Sequence, residues 1–304
     1  MRRSGGVGAF LVERCLPVYP ILLTLWVFAV ESITVGVSGA TASWRPSGET
    51  ALKVLALMAA GAFLRMVDDQ KDLDYDRIHH PTRPLVQGRV TSRELRTAML
   101  PAAVVALILA AAVSAWAVIL LAAVLACSLA LWWAESRAEV LRDNAIANLA
   151  AVCPVQFLIT GFAMTGPTGV GEAPWWRIAL VPVVFTSALL HAEIARKATA
   201  PTGLGPPDRH SYSELIGATA SAALACGFGL FAVLTEVLVT RPWSWADEGW
   251  PTAWLPLATA VLPLVSGWVF LRGGRRDHPQ ALPAVFVVAF FLSIIGQGLG
   301  HLQS

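Results

Sequence analysis

Apolar residues run in long blocks along this chain, and polar residues gather between the blocks. A helix needs about 20 apolar residues to cross a bilayer. Nine blocks meet that length, roughly 16–39, 51–67, 97–113, 115–133, 145–164, 178–195, 214–239, 251–271 and 280–299. The first continues without a small-residue cleavage site, so it reads as a span and not as a removed leader. Glycine and proline recur inside several blocks, which membrane helices tolerate. No hydrophilic stretch is long enough for a separate domain. The pattern predicts an all-α integral membrane protein, a nine-transmembrane-helix bundle in which residues 1–304 form a single transmembrane domain.

Composition agrees with the pattern. Apolar residues make up 56% of the chain and charged residues only 14%, against about 25% charged in soluble domains. These values, with a mean hydropathy of +0.63, exclude an ordinary soluble enzyme, a disordered tail and a disulfide scaffold. The net charge is only +2, so no global field draws nucleic acid to the surface. Cys15, Cys127, Cys153 and Cys226 stand far apart in apolar stretches without metal-ligand spacing, and they read as inert thiols.

Basic residues set the orientation. Seventeen of the 22 lysines and arginines lie before span one or in the connections after even-numbered spans. Only Arg45, Lys53, Arg177 and Arg241 fall on the other side, and Arg65 lies near the inner end of span two. This asymmetry predicts a cytoplasmic N-terminus and an outer C-terminus, in a multi-pass protein of the plasma membrane. The outer connections hold Trp44, Trp175, Trp176, Trp243, Trp245, Trp250 and Trp254, which read as an aromatic belt at the headgroups. The concentrated polar chemistry therefore faces the cytoplasm.

That chemistry starts at the end of span two. Asp68, Asp69, Asp72, Asp74 and Asp76 follow the apolar block within nine residues, and His79-His80-Pro81-Thr82-Arg83-Pro84-Leu85 comes after. On a helix, Asp69, Asp72 and Asp76 fall within about 60° of one another, with Asp68 about 40° beyond. Arg65 shares that face, whereas Lys71 and Asp74 point elsewhere. Acids stacked at spacings of three and four repel one another, so the stripe calls for a cation. Hard divalent cations take oxygen ligands, and Mg²⁺ typically shares itself with substrate phosphates. The spacing predicts a metal-bridged diphosphate site at the membrane surface; the plain alternative is a solvated helix end.

The segment Asp68-Asp69-x-x-Asp72-x-x-x-Asp76, followed by Arg83-Pro84-Leu85-x-x-Gly88-Arg89-Val90, resembles the first aspartate-rich motif of the UbiA superfamily of intramembrane prenyltransferases. Asp68 stands where that family usually has asparagine, which keeps an oxygen ligand. The nine-span pattern is similar to the family over nearly the whole chain. The resemblance implies a Mg²⁺-dependent enzyme that ionises a polyprenyl diphosphate, with Asp68, Asp69, Asp72 and Asp76 as metal ligands. Arg65 and Arg83 would then meet the substrate. The family's second acidic motif, after span six, is altered here. In the region 193–208, Glu193 can replace one carboxylate, but Lys197 stands where another is expected, and only Asp208 follows nearby. Arg196 and Lys197 can instead grip diphosphate oxygens, or simply anchor the topology. Asn144 and Asn148 correspond loosely to polar substrate-binding positions, with helix capping as the alternative.

The allylic cation left after ionisation needs a dry chamber faced by aromatic rings, and Trp26, Phe28, Trp116, Trp132, Trp133, Phe157 and Phe162 are available. Transfer of the prenyl group to a small aromatic or quinone-type acceptor is the principal expectation. A UbiA-type terpene cyclase is the alternative. A transporter is a third class, with Glu31 and Glu236 inside spans one and seven as its coupling groups, although it has no need of the aspartate stripe. His191 reads as packing.

Overall fold

The computed structural model describes residues 5–38, 44–166, 173–198, 211–244, 250–272, 278 and 281–300. Every regular element among them is a helix. In chain order these are α1 (Gly6–Cys15), α2 (Val18–Ser38), α3 (Gly48–Lys71), α4 (Leu73–His79), α5 (Ser92–Ala111), α6 (Ala115–Glu135), α7 (Glu139–Asp143) and α8 (Ala145–Ala163). They continue with α9 (Trp175–Arg196), α10 (Tyr212–Ile216), α11 (Ala218–Thr240), α12 (Trp250–Ala253), α13 (Leu255–Ala258), α14 (Val261–Arg272) and α15 (Ala281–Gly300). Nine stretches among the described residues are long and apolar enough to cross a membrane, as the hydropathy pattern predicts. The prediction of spans needs two adjustments. The second helix runs on to Lys71, which takes Asp68 and Asp69 into its last turn. The eighth block is divided into α12, α13 and α14, because Pro251, Pro256 and Pro263 lack the N–H that a continuous ladder requires.

Local chemistry explains the helix starts. Ser47 and Thr50 form a reciprocal capping box on α3, and Thr91 and Glu94 form another on α5. Ser114 caps α6 by accepting from the Ala117 N–H. Each cap satisfies amides that would otherwise have no partner at a helix end.

The chain divides into two compact units, one of residues 1–27 and 46–138, the other of 28–45 and 139–304. In the first, α3 packs along α5 and α6, and the short α1 lies against α3 and α5. Its core contains Phe10, Met66, Leu95 and Leu121, all fully buried. In the second, α9 packs along α11, α14 joins α11 and α15, and α8 lies on α9. Phe185, Phe286, Phe290 and Phe291 are fully buried there, and the Phe286 and Phe290 rings stack 5.4 Å apart. Gly229 allows α11 to approach Pro263 closely, since a Cβ at that position would come within 2.6 Å of the proline Cγ. Small residues serve such close helix contacts in membranes.

The aromatic-belt expectation holds unevenly. Trp175 is 79% exposed and Trp243 53%, as headgroup residues should be. Trp44 is instead buried, and its indole N–H donates to Glu31 Oε2 at 3.1 Å. A buried indole seeks a polar partner, and the nearby acid provides one. Trp245 lies outside the described residues. Four half-buried cysteines are present as free thiols; burial raises the Cys15 thiol above its ordinary value.

Candidate active site

The aspartate stripe spans the junction of α3 and α4. Asp72 sits between the two helices, yet the Asp72 N–H donates to the Asp68 carbonyl and the Asp76 N–H to the Asp72 carbonyl. Helical register therefore passes through the junction. Around that continuous helix the order is Asp68, Asp72, Asp76, Asp69, each about 20–40° from the next. Packing divides this arc in two.

Asp69 and Asp76 occupy the buried side, each about 1% exposed. Arg14 of α1 grips Asp69 with two parallel hydrogen bonds, Nε to Oδ2 at 2.9 Å and Nη2 to Oδ1 at 3.0 Å. The Arg65 Nε stands 3.0 Å from the Asp69 Oδ1, so this one carboxylate faces two guanidinium groups. Asp76 pairs through Oδ2 with Arg83, and its buried Oδ1 makes no hydrogen bond among the described residues. The bidentate grip of Arg14 on Asp69 gives geometric specificity, and the Asp76–Arg83 pair closes the 80–91 loop onto the helix end. Gly88 turns that loop at φ +68°, a conformation that costs a side-chain residue but not glycine. Arg89 forks onto Glu13 of α1 at 2.6 and 2.8 Å, and this hydrogen bonding holds the Glu13 carboxyl below its ordinary value.

Asp68 and Asp72 occupy the open side. Asp68 keeps 48% of its side chain exposed, and Lys71 Nζ is 4.0 Å away. Asp72 is half-buried and carries no ion pair among the described residues. Asp74 lies apart, 94% exposed and paired with Arg77 at 2.7 Å. Lys71, expected to point elsewhere, reaches across to Glu135 Oε1 at 3.1 Å.

Sequence reasoning missed three partners: Glu13, Arg14 and Glu135. Arg14 was counted only as a topology charge. Glu135 had a legible signal, since it ends an otherwise apolar helix at the carbonyl pole, where a carboxylate needs a cation.

In the second unit, Glu193 accepts from Arg196 at 2.7 Å and lies 2.8 Å from Lys197. The Lys197 ammonium also stands 5.9 Å from the Tyr212 ring centre. Burial, and then the Glu193 charge, raises the Tyr212 phenol above its usual value. Asp208 lies outside the described residues, as does the Arg142 side chain. Asn144 caps α8, its Oδ1 accepting from the N–H groups of Ile146 and Ala147. The Asn148 side chain donates to the Leu141 carbonyl at 3.2 Å. Among the aromatic candidates, Trp116, Trp133 and Phe157 are 69%, 61% and 40% exposed. Trp26 and Phe162 are buried. Glu236 is wholly buried on α11. The His191 Nδ1–H donates to the Ala225 carbonyl, 2.8 Å away, and the ring packs edge-on against Phe286.

Among the described residues, no three histidine, cysteine, aspartate or glutamate side chains converge as a ready metal cage. Two neighbouring carboxylates one turn apart, completed by water and phosphate oxygens, nevertheless suit Mg²⁺. The donor set at Asp68 and Asp72 is all oxygen, and it fits that ion.

An all-helical membrane protein with an acidic motif ending its second span defines the class. The sequence model of the UbiA prenyltransferase family matches residues 29–295, and the chain belongs to that family. Solved structures share the fold at low identity. One, described as digeranylgeranylglyceryl phosphate synthase in membranes, superposes with a TM-score of 0.64 at 12% identity, covering 96% of this chain and 99% of that one. The apo UbiA homologue from Aeropyrum pernix K1 gives 0.62 at 17% identity, covering 92% and 96%. The UbiA homologue from Archaeoglobus fulgidus bound to DMAPP and Mg²⁺ gives 0.61 at 14% identity, covering 95% and 99%. No curated protein sequence matches the chain.

Proposed function

We propose that this protein is a Mg²⁺-dependent intramembrane enzyme that ionises an allylic prenyl diphosphate and transfers the prenyl group to a small acceptor. The observation that carries the reading is the divided stripe: Asp68 and Asp72 stand open while arginines neutralise Asp69 and Asp76. Asp69 with Arg14 and Arg65 leaves one positive charge in excess. Asp68 and Asp72 carry no arginine among the described residues, and the Lys71 ammonium beside them is held by Glu135, so negative charge is in excess there. A divalent cation carrying a diphosphate answers both imbalances at once. Family membership supports the reading, as do the ligands of the Archaeoglobus fulgidus homologue.

Asp68 and Asp72 would hold the metal, and Arg65 and Arg83, each about one-fifth exposed, lie within the same folded segment to meet phosphate oxygens. When bound, Mg²⁺ would supply charge neutralisation to the leaving diphosphate. The allylic C–O bond breaks, its electron pair departs on the diphosphate, and the acceptor forms the new bond and releases a proton. Apolar helices keep water from the cation until it is captured. In the second unit, Arg196 and Lys197 stand together beside Glu193, and two adjacent cations suit an anion such as a diphosphate. The excess of basic residues supports a motif that faces the cytoplasm, in a plasma-membrane protein.

The test uses the full-length chain in lipid nanodiscs with labelled prenyl diphosphates of several chain lengths. Diphosphate release that requires Mg²⁺ and an aromatic or quinone-type acceptor is the expected result. A cyclic terpene formed without any acceptor would reassign the reaction to cyclisation. No release with any chain length would overturn the reading.

A further inference from the structure

Lys71 closes α3, one residue before the junction at Asp72. Its ammonium lies 3.1 Å from Glu135 and 4.0 Å from Asp68. The two acids differ in setting. The Glu135 side chain is 6% exposed and ends α6, whereas Asp68 is 48% exposed and faces the open side of the stripe. One cation thus stands between a buried acid and an accessible one, closer to the buried acid.

This placement has a consequence for any second cation. An ammonium seated on Asp68 would compete for its oxygens and repel a divalent ion. Glu135 offers the ammonium a better partner, since a buried charge is bound more strongly by its counter-ion than an exposed one. Lys71 in turn compensates a carboxylate that the carbonyl pole of α6 disfavours. Among the described residues the same segment also carries Asp72, and Asp69, which Arg14 and Arg65 face.

We propose that Glu135 is a positioning residue of the metal site: it draws the Lys71 ammonium away from Asp68 and leaves that carboxylate open to the divalent ion. The inference rests on the reading that Asp68 and Asp72 hold the metal. Glu135 acts on Asp68 through the Lys71 ammonium, so that effect disappears when Lys71 carries no charge.

The test is Mn²⁺ binding to the purified full-length protein, read from the electron paramagnetic resonance signal of free Mn²⁺, with thermal melting of each variant. Glu135→Gln returns the ammonium to Asp68 and weakens binding about tenfold, the size typical of losing a partner that supports a ligand. Lys71→Met binds at least as tightly as wild type, and Lys71→Met with Glu135→Gln binds like Lys71→Met alone. Glu135→Asp, which keeps the charge on a shorter arm, falls between wild type and Glu135→Gln and covers the case in which the glutamine variant does not fold. Equal affinity in wild type and Glu135→Gln would overturn the proposal. So would an equal loss from Glu135→Gln in the Lys71→Met background, which would mark Glu135 as purely structural. Binding that survives Asp68→Ala with Asp72→Ala would remove the metal reading itself, and the positioning role with it.

Discussion

Five aspartates in nine residues have three different surroundings. Asp74 is solvated, Asp69 and Asp76 are locked into arginine pairs, and Asp68 and Asp72 stay open. Their substitutions should separate accordingly. Asp68→Ala and Asp72→Ala should lower turnover by about 10²–10³-fold, the scale of removing one stabiliser of transition-state charge, while melting stays near wild type. Asp69→Ala and Asp76→Ala should also lose activity, but with a marked fall in melting temperature. Each leaves an arginine facing a closed interior without its acid, and breaking a buried pair costs about 3–5 kcal/mol; the partial exposure of Arg14 and Arg83 puts these two toward the lower end. Asp74→Ala should change neither. Parallel melting curves and initial rates for the five variants would check this, and equal melting of the Asp68 and Asp69 variants would contradict the division.

Among elements, α1 and the helix contact at Gly229 make distinct predictions. α1 holds the 80–91 loop by the Glu13–Arg89 fork and the Asp69 side of the stripe by Arg14. The Glu13 carboxyl is depressed below its ordinary value of 4.5. A depressed acid contributes stability above its unfolded value and loses it as pH falls through the folded one. Docking of α1 should therefore loosen only in acid, below about pH 4.5, and Glu13→Gln should remove the pH-dependent part. Both residues of the fork are partly solvated, so the effect should be small. Amide exchange in residues 6–15 across a pH series would measure it. Gly229→Ala puts a methyl group against Pro263 and should destabilise by about 1–3 kcal/mol through overpacking, seen as a lower melting temperature.

For the molecule as a whole, the prediction concerns topology. Nine spans and the basic asymmetry put a reporter fused after Ser304 on the outer face and one inserted in 78–92 in the cytoplasm. Glycosylation or alkaline-phosphatase reporters at both points would check it; a cytoplasmic signal at the C-terminus would mean an even number of crossings. Glu236 belongs to the same scale, because its side chain is wholly buried on α11 inside a span, where a glutamine of nearly equal volume fits the same space. Glu236→Gln should melt within a few degrees of wild type.

Long apolar blocks identify a membrane helix without tertiary information, because in lipid every backbone polar group must pair within its own segment. The spans, the aspartate stripe and the Arg83–Gly88 signature were legible for that reason, and the stripe carried the family resemblance. Helical spacing alone placed Asp68, Asp69, Asp72 and Asp76 on one broad face and could not divide them. The division came from residues distant in the chain, Arg14 for Asp69 and Glu135 beside Asp68 through Lys71. Trp44 likewise looked like a surface anchor until Glu31 of α2 received its N–H. Periodicity records which residues share a face; which carboxylate finds a cation depends on packing between helices.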